Sequence, residues 1–486
     1  MATDNMRKNY IYNVSVQIVS MLTPLITAPY LARVLGEEGV GTHSYVLSIA
    51  TYFALFAALG LSSYGLREVS RVRDDRVKSS RLFWELSIIR LINTLVSCAL
   101  YGLFIWRFGG EQWQSFLAIG LTILATGVDC TWFFQAKENF KSLMLRNLTV
   151  KLLSMALVFL LVRDADDVPL YCAIQTGSLF ISNLLMWPQL KKMVRRIPLH
   201  RLRLLRHYKE VLVYFVPTIA TSIYTVLDKT MIGAITNDMA QNGFYENAHK
   251  IINILMTIVT SLTVVVGVRT SYLFGKNRED EVRSHIRDTF RFMYMLTFPL
   301  CAGLVACGRG FAVEFYGANF DEAGVMIMMF APLLFVIGTS NVLGTLYLTP
   351  SGQRGRSNRA IISGAVTNLV LNMLLIPEYG AYGAVIASVT AELVISCLYL
   401  RFSHSFISAW QLLGMAVRYG AYAVMMFVPT YWLGEVLGKG LEVEAYVILA
   451  QIALGAVIYV GLLIAFRDPA WLTCKGYLMK FKRKGH

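Results

Sequence analysis

Arg33-Val34-Leu35-Gly36-Glu37-Glu38-Gly39 separates two apolar runs, 11–32 and 42–65, and the next connection reads REVSRVRDDRVKSSR over 67–81. A short acidic turn, an apolar run and then a long basic turn is the pattern of a chain threading a bilayer, because Lys and Arg collect on the cytoplasmic side. Outward from this stretch, further apolar runs lie near 83–106, 114–136, 147–162, 169–189, 211–233, 247–273, 288–308, 324–348, 360–376, 382–400, 419–437 and 445–466. Most approach the roughly 20 residues that cross a hydrocarbon core. The expected fold is all-α, a polytopic membrane protein of about fourteen transmembrane helices. Composition agrees: 56% of the 486 residues are apolar and 15% charged, with a mean hydropathy of +0.54.

The net charge of +15 would suggest nucleic-acid binding in a soluble protein, but its distribution points to orientation. The connections 1–9, 66–82, 137–146, 190–210, 274–287, 349–359 and 401–418 and the tail from Arg467 hold 34 of the 45 Lys and Arg. The alternate turns carry acids such as Glu37, Glu38, Asp164, Asp166, Asp167, Glu314, Asp321, Glu322, Glu442 and Glu444. Both termini are therefore expected in the cytoplasm, and no nucleic-acid partner is expected. The N-terminal MATDNMRKNY lacks a small-residue cleavage site, so the first run is expected to remain as a span.

A weak internal repeat is present. LGEEGVGTHSYVLSI (35–49) echoes IGAITNDMAQNGFYENAHKI (232–251), and Ala136–Val162 matches Thr349–Pro377 in pattern, with Arg146 and Arg359 in equivalent places. Two six-helix halves follow, and an even number of spans per half makes the repeat parallel. The expected division is 1–210 for spans 1–6, 211–410 for spans 7–12, and 411–486 for two added spans and a basic tail.

Charges inside spans cost roughly 2.5–3.5 kcal/mol each on insertion scales, so they mark functional candidates. The cations are Arg90, Lys151, Lys229, Lys250 and Arg269, and the acids Asp129, Asp228 and Glu392. Lys151 and Arg269 lie near span ends, where snorkelling to water is the plainer explanation. Asp228 and Lys229 diverge by about 100° on their helix, so each is expected to have a separate partner. An inter-helix pair such as Arg90 with Asp129 is the structural alternative to a ligand site. Several cations around one cavity would suit an anionic head group such as a diphosphate, which needs charge-assisted hydrogen bonds once desolvated. The acids could instead carry H+ or Na+.

Covalent chemistry has no recognisable apparatus. GxxxxGK[ST], HExxH and GxSxG are absent, no cofactor or metal is expected, and no outer turn is long enough for a catalytic domain. The cysteines Cys98, Cys130, Cys172, Cys301, Cys307, Cys397 and Cys474 are scattered without a CxxC pair, so no disulfide framework is expected. His43, His207, His249, His285 and His404 fall in loops or near span ends and read as interfacial. Lys191–Lys209 and the tail WLTCKGYLMKFKRK (471–484) interleave apolar and basic residues, as in helices on an anionic leaflet, with docking to a protein as the alternative.

PLITAPYLARVLGEEGVGTHSY (24–45), LGLSSYGLRE (59–68), WFFQAKENF (132–140), LDKTMIG (227–233) and NGFYENAHKI (242–251), in this order and frame, resemble the polysaccharide flippases of the multidrug/oligosaccharidyl-lipid/polysaccharide exporter superfamily over nearly the whole chain. The resemblance implies a flippase moving an undecaprenyl-diphosphate-linked oligosaccharide from the cytoplasmic to the outer leaflet of a bacterial cytoplasmic membrane by alternating access, for capsule, O-antigen or exopolysaccharide assembly. It places the family's span-7 acid and base on Asp228 and Lys229 and its first-turn arginine on Arg33. Many relatives read Pro-Arg-x-Ser where this chain has Val268-Arg269-Thr270-Ser271. A polysaccharide polymerase or glycosyltransferases are candidate partners. A toxin-extruding antiporter would favour acids over cations in its cavity, and a scaffold for a biosynthetic complex would tolerate neutralisation of Arg90 or Lys229.

Overall fold

The computed structural model describes residues 2–276, 278–437 and 444–473. Glu442, Cys474 and the tail beyond it lie outside the described residues, as do the side chains of the basic segment 1–9 and of Glu444. Described in chain order, the helices are α1 (Ala2–Ala58), α2 (Leu61–Arg71), α3 (Arg76–Phe108), α4 (Trp113–Gly127), α5 (Thr131–Ala136), α6 (Phe140–Leu161), α7 (Val168–Leu184), α8 (Trp187–Met193), α9 (Tyr208–Thr236), α10 (Met239–Gly275), α11 (Glu279–Tyr316), α12 (Asp321–Phe330), α13 (Leu333–Leu343), α14 (Arg354–Ser403), α15 (Ala409–Leu437) and α16 (Glu444–Ala465). Among the described residues, nine helices are long and apolar enough to cross a membrane, or ten with the bent pair Ala318–Phe330 and Leu333–Leu348 counted as one.

Two of these are 50 residues long, Leu22–Arg71 and Arg354–Ser403. At 1.5 Å per residue each extends roughly 75 Å, more than twice the hydrocarbon thickness, so each must fold back. The reversal is a glycine in both: Gly36 at φ 68, ψ −177 and Gly380 at φ 54, ψ −134, regions that a side chain makes costly. Three residues on, a Cβ at Gly39 would lie 2.9 Å from Leu35 Cβ, and one at Gly383 would lie 2.5 Å from the Leu375 carbonyl oxygen. Gly36→Ala is expected to cost about 1–3 kcal/mol, read as a lower unfolding temperature in detergent. With two crossings from each long helix the ten become twelve, and α9 and α10, 29 and 37 residues long, bring the number to one consistent with fourteen.

The chain forms two compact units, Met1–Gly243 and Phe244–His486. In the first, one core packs Leu35, Val46, Ile49, Tyr101, Phe116, Ile119, Ile123 and Cys172 from α1, α3, α4 and α7. A second core packs Leu61, Phe83, Leu86, Trp132, Phe133, Phe134 and Val211 from α2, α3, α5 and α9. Gly65 admits the Trp132 ring directly onto the α2 backbone, because a Cβ there would meet Trp132 Cε3 at 2.6 Å. The second unit is centred on Phe290, Met293, Tyr294, Leu343, Leu346 and Tyr419. Large apolar side chains also cover the outside: Trp106 is 82% and Val457 70% exposed. On a water-facing surface this would be costly, and in lipid it is the normal state.

The basic stretch Lys191–Lys209 departs from the expected single surface helix. Helix α8 stops at Met193, the chain is extended or irregular from 194, and only the short turns Leu199–Arg201 and Leu205–His207 follow. Side chains of α3 bond to its backbone instead, which removes the need for an internal helical ladder. His43 and His207 also depart from the interfacial reading. Both are buried, at 6% and 2% exposure. His43 is held by Gln175 and the Tyr171 ring at 4.6 Å, and His207 by Tyr64 at 2.8 Å and Glu85 at 2.9 Å.

Candidate functional site

The apolar run 114–136 is not one continuous helix. It stops at Gly127 and restarts at Thr131, and a break at membrane depth must have its carbonyls satisfied by protein. Three side chains do so: Asn183 Nδ2 donates to the Ala125 carbonyl at 2.9 Å, Trp187 Nε1 to that of Val128 at 2.8 Å, and Arg90 to that of Asp129 at 2.6 Å. Broken helices of this kind are where transporters place ligands.

Arg90, 2% exposed, is the centre of the break. Besides the carbonyl it donates to Asp129 Oδ2 at 3.0 Å and Ser62 Oγ at 2.7 Å. The other Asp129 oxygen accepts from Thr131 N at 2.9 Å and Thr131 Oγ1 at 2.6 Å. The inter-helix pair anticipated as the structural alternative is therefore present, and both charges are spent on holding the break.

Two cations on α6 differ from Arg90. Arg146 is half-buried and donates to the amide oxygens of Asn147, at 2.5 and 3.0 Å, and of Asn183, at 3.3 Å. Lys151 is half-buried one and a half turns further on. Among the described residues neither has a carboxylate within ion-pair distance.

The remaining candidates lie on other elements. Arg33 is exposed just before Gly36. Asp228 is buried and Lys229 half-buried on consecutive positions of α9, and the Lys229 carbonyl accepts from Asn242 Nδ2 at 2.9 Å. In the second unit Lys250 pairs with Glu246 one turn back, at 3.4 Å, and Arg269 is exposed over the Tyr272 ring at 5.4 Å. Glu392 is half-buried. Helix α10 runs as one helix through Val268.

Within the first unit, one face of α1 forms a close seam. Its positions 41, 45, 48 and 52 recur at helical spacing. A Cβ at Gly41 would fall on the Met239 carbonyl oxygen, and one at Gly243 on the Glu37 carbonyl oxygen. The Tyr45 ring covers Gly233, Ser48 Oγ meets Thr230 Oγ1 at 2.8 Å, and Thr230 lies 3.1 Å from the Tyr52 hydroxyl. Gly41 and Gly243 bring the backbones into contact, and the Tyr45 ring and the Ser48, Thr230 and Tyr52 hydroxyls flank that contact.

Residues 6–268 match the family model described as polysaccharide biosynthesis protein. The chain belongs to this family. Similar proteins include a putative O-antigen transporter of Escherichia coli strain K12, 23% identical over 82% of this chain and 96% of the transporter. Another is the probable low-salt glycan biosynthesis flippase Agl15 of Haloferax volcanii, 21% identical over 78% of this chain and 79% of its own. Among solved structures, a lipid II flippase MurJ in an inward closed conformation aligns with a TM-score of 0.69 at 16% identity, covering 95% of this chain and 99% of its own. A multidrug resistance MATE family transporter, outward-facing, aligns at 0.51 with 13% identity over 85% and 95%. The shared fold is that of the MurJ and MATE transporters.

For this family member the sequence reading omitted Glu85, which is fully buried. Its carboxylate accepts from Arg81 at 3.0 Å, the Arg203 amide at 2.7 Å, Arg206 at 2.6 Å and His207 at 2.9 Å. The signal was available, since an acid in the apolar text Leu82-Phe83-Trp84-Glu85-Leu86 is costly unless partnered.

Proposed function

We propose that this chain is a flippase that carries a polyprenyl-diphosphate-linked oligosaccharide from the cytoplasmic to the outer leaflet of a bacterial cytoplasmic membrane, with both termini in the cytoplasm. The observation that carries the reading is Arg146, a half-buried cation next to the broken span whose partners are amide oxygens and which has no carboxylate at ion-pair distance among the described residues; Lys151, about 140° further around the same helix, is a second half-buried cation without one. A diphosphate can supply the anion that the protein withholds. The names of the relatives, O-antigen transporter and glycan flippase, support the same substrate class. The glycine-lined seam on α1 supports alternating access, with lobes proposed over 1–210 and 211–410 and the added spans over 411–486. Arg90 acts in this reading through the backbone it holds. Arg33, Lys229, Lys250 and Arg269 are proposed as lesser contributors to the cationic path, and Asp228 and Glu392 as candidate sites for a coupling ion.

Binding of a fluorescent undecaprenyl-diphosphate oligosaccharide to the protein in nanodiscs tests this reading. Loss of one charge-assisted hydrogen bond of about 1.5–3 kcal/mol weakens binding roughly 10- to 150-fold, so Arg146→Gln and Lys151→Gln are each expected within that range. Unchanged affinity in both, together with saturable binding of organic cations, would favour the antiporter whose fold is shared.

A further inference from the structure

The two basic connections of the first unit, 66–82 and 190–210, carry fourteen Lys and Arg against four acids, and neither takes part in the site described above. A merely solvated loop would have its backbone bonded to water, whereas here the second connection is bonded inward along its length. Arg76 donates to the Lys192 carbonyl at 2.7 Å, the Arg195 amide to Ser80 Oγ at 2.9 Å, and Trp84 Nε1 to the Arg195 carbonyl at 3.0 Å. The Arg203 amide and the His207 ring bond to Glu85 at 2.7 and 2.9 Å. Backbone groups thus point into the fold, while Arg195, Arg196 and Arg201 are exposed and have no ion-pair partner among the described residues. Leu205 is 85% exposed between Arg203 and Arg206, three residues before α9 begins at Tyr208. An apolar tip among guanidinium groups, at the entrance to a span, is the composition of a segment seated in the head-group layer.

We infer that this strap, held in place by Glu85 and Ser80, is a built docking surface for the phosphate head groups of anionic phospholipids in the cytoplasmic leaflet. The inference rests on the orientation proposed above. Guanidinium groups suit phosphate because their fork of donors matches its oxygens. The same positive charge could attract an acidic protein segment, but an exposed leucine beside a span entrance favours lipid.

The test uses full-length protein in phosphatidylcholine nanodiscs containing a small fraction of fluorescent phosphatidylglycerol, with enrichment around the protein read by energy transfer. Each basic residue near an anionic surface contributes about fivefold to partitioning, so Arg195→Gln/Arg196→Gln/Arg201→Gln is expected to lower enrichment about a hundredfold. Glu85→Gln adds positive charge yet releases the strap, so enrichment should fall. Ser80→Ala should lower it to a smaller extent if Glu85→Gln does not fold.

Unchanged enrichment in the triple strap variant, or increased enrichment in Glu85→Gln, would overturn the inference. Displacement by millimolar inorganic phosphate would assign the surface to soluble anions, and equal binding of a polyglutamate peptide would assign it to a protein partner; either would overturn it. Orientation is tested separately by Arg201→Cys and a membrane-impermeant maleimide in intact cells. Labelling there would sink the orientation, whatever the lipid result.

Discussion

Arg90→Ala is expected to cost about 3–5 kcal/mol of stability, the loss typical when one partner of a buried ion pair is removed. The truncation leaves three groups without their donor: the Asp129 carboxylate, the Asp129 carbonyl and Ser62 Oγ. Two of these belong to the broken segment between α4 and α5, so the break itself should lose its geometry. The measurement is thermal unfolding in detergent, with oligosaccharide binding measured on whatever fraction remains folded. Replacing both charges, Arg90→Met with Asp129→Leu, should recover part of the loss, because it removes the uncompensated buried carboxylate. The carbonyl remains an orphan, so recovery should be incomplete. If Arg90→Ala unfolds like the wild type, the pair does not hold the break.

Gly41→Val is expected to reduce flipping to the protein-free background while lowering stability by only about 1–3 kcal/mol, the usual cost of overpacking. A side chain at 41 has to displace the Met239 carbonyl, which is backbone and cannot move aside as a flexible side chain does. The seam along Tyr45, Ser48 and Tyr52 would be wedged apart, and a transporter that cannot close one gate cannot alternate. Gly102→Val is the control, since its added side chain meets open space and should leave flipping intact. Equal activity in the two variants would remove the seam from the mechanism.

Much of the architecture is legible in the residue order, because both of its signals are local. The apolar runs have the length of a membrane crossing, and Lys and Arg concentrate in every other connection. The reversal at Gly36 is equally local, lying in an acidic turn between two runs. The break in 114–136 is not legible in this way, since hydropathy continues across it. What creates it are donors 39, 58 and 59 residues away, on Arg90, Asn183 and Trp187.

The same holds for the histidines. Their nearness to span ends suggested an interface, but His207 is buried by a carboxylate 122 residues earlier. Glu85 shows the converse, a local anomaly whose partners are remote. Arg90 shows the structural alternative: it is charged inside a span, and it is paired with Asp129. Arg146 falls by position in a basic connection, and only the folded arrangement shows that its partners are amides.

Leaflet exchange tests the central claim most directly. Liposomes carrying a fluorescent undecaprenyl-diphosphate oligosaccharide in one leaflet are quenched from outside, with and without the protein and with Arg146→Gln/Lys151→Gln. The account predicts exchange that requires the protein and falls toward the protein-free rate in the double variant. No protein-dependent exchange, accompanied by ion-driven efflux of small organic cations from the same liposomes, would contradict it.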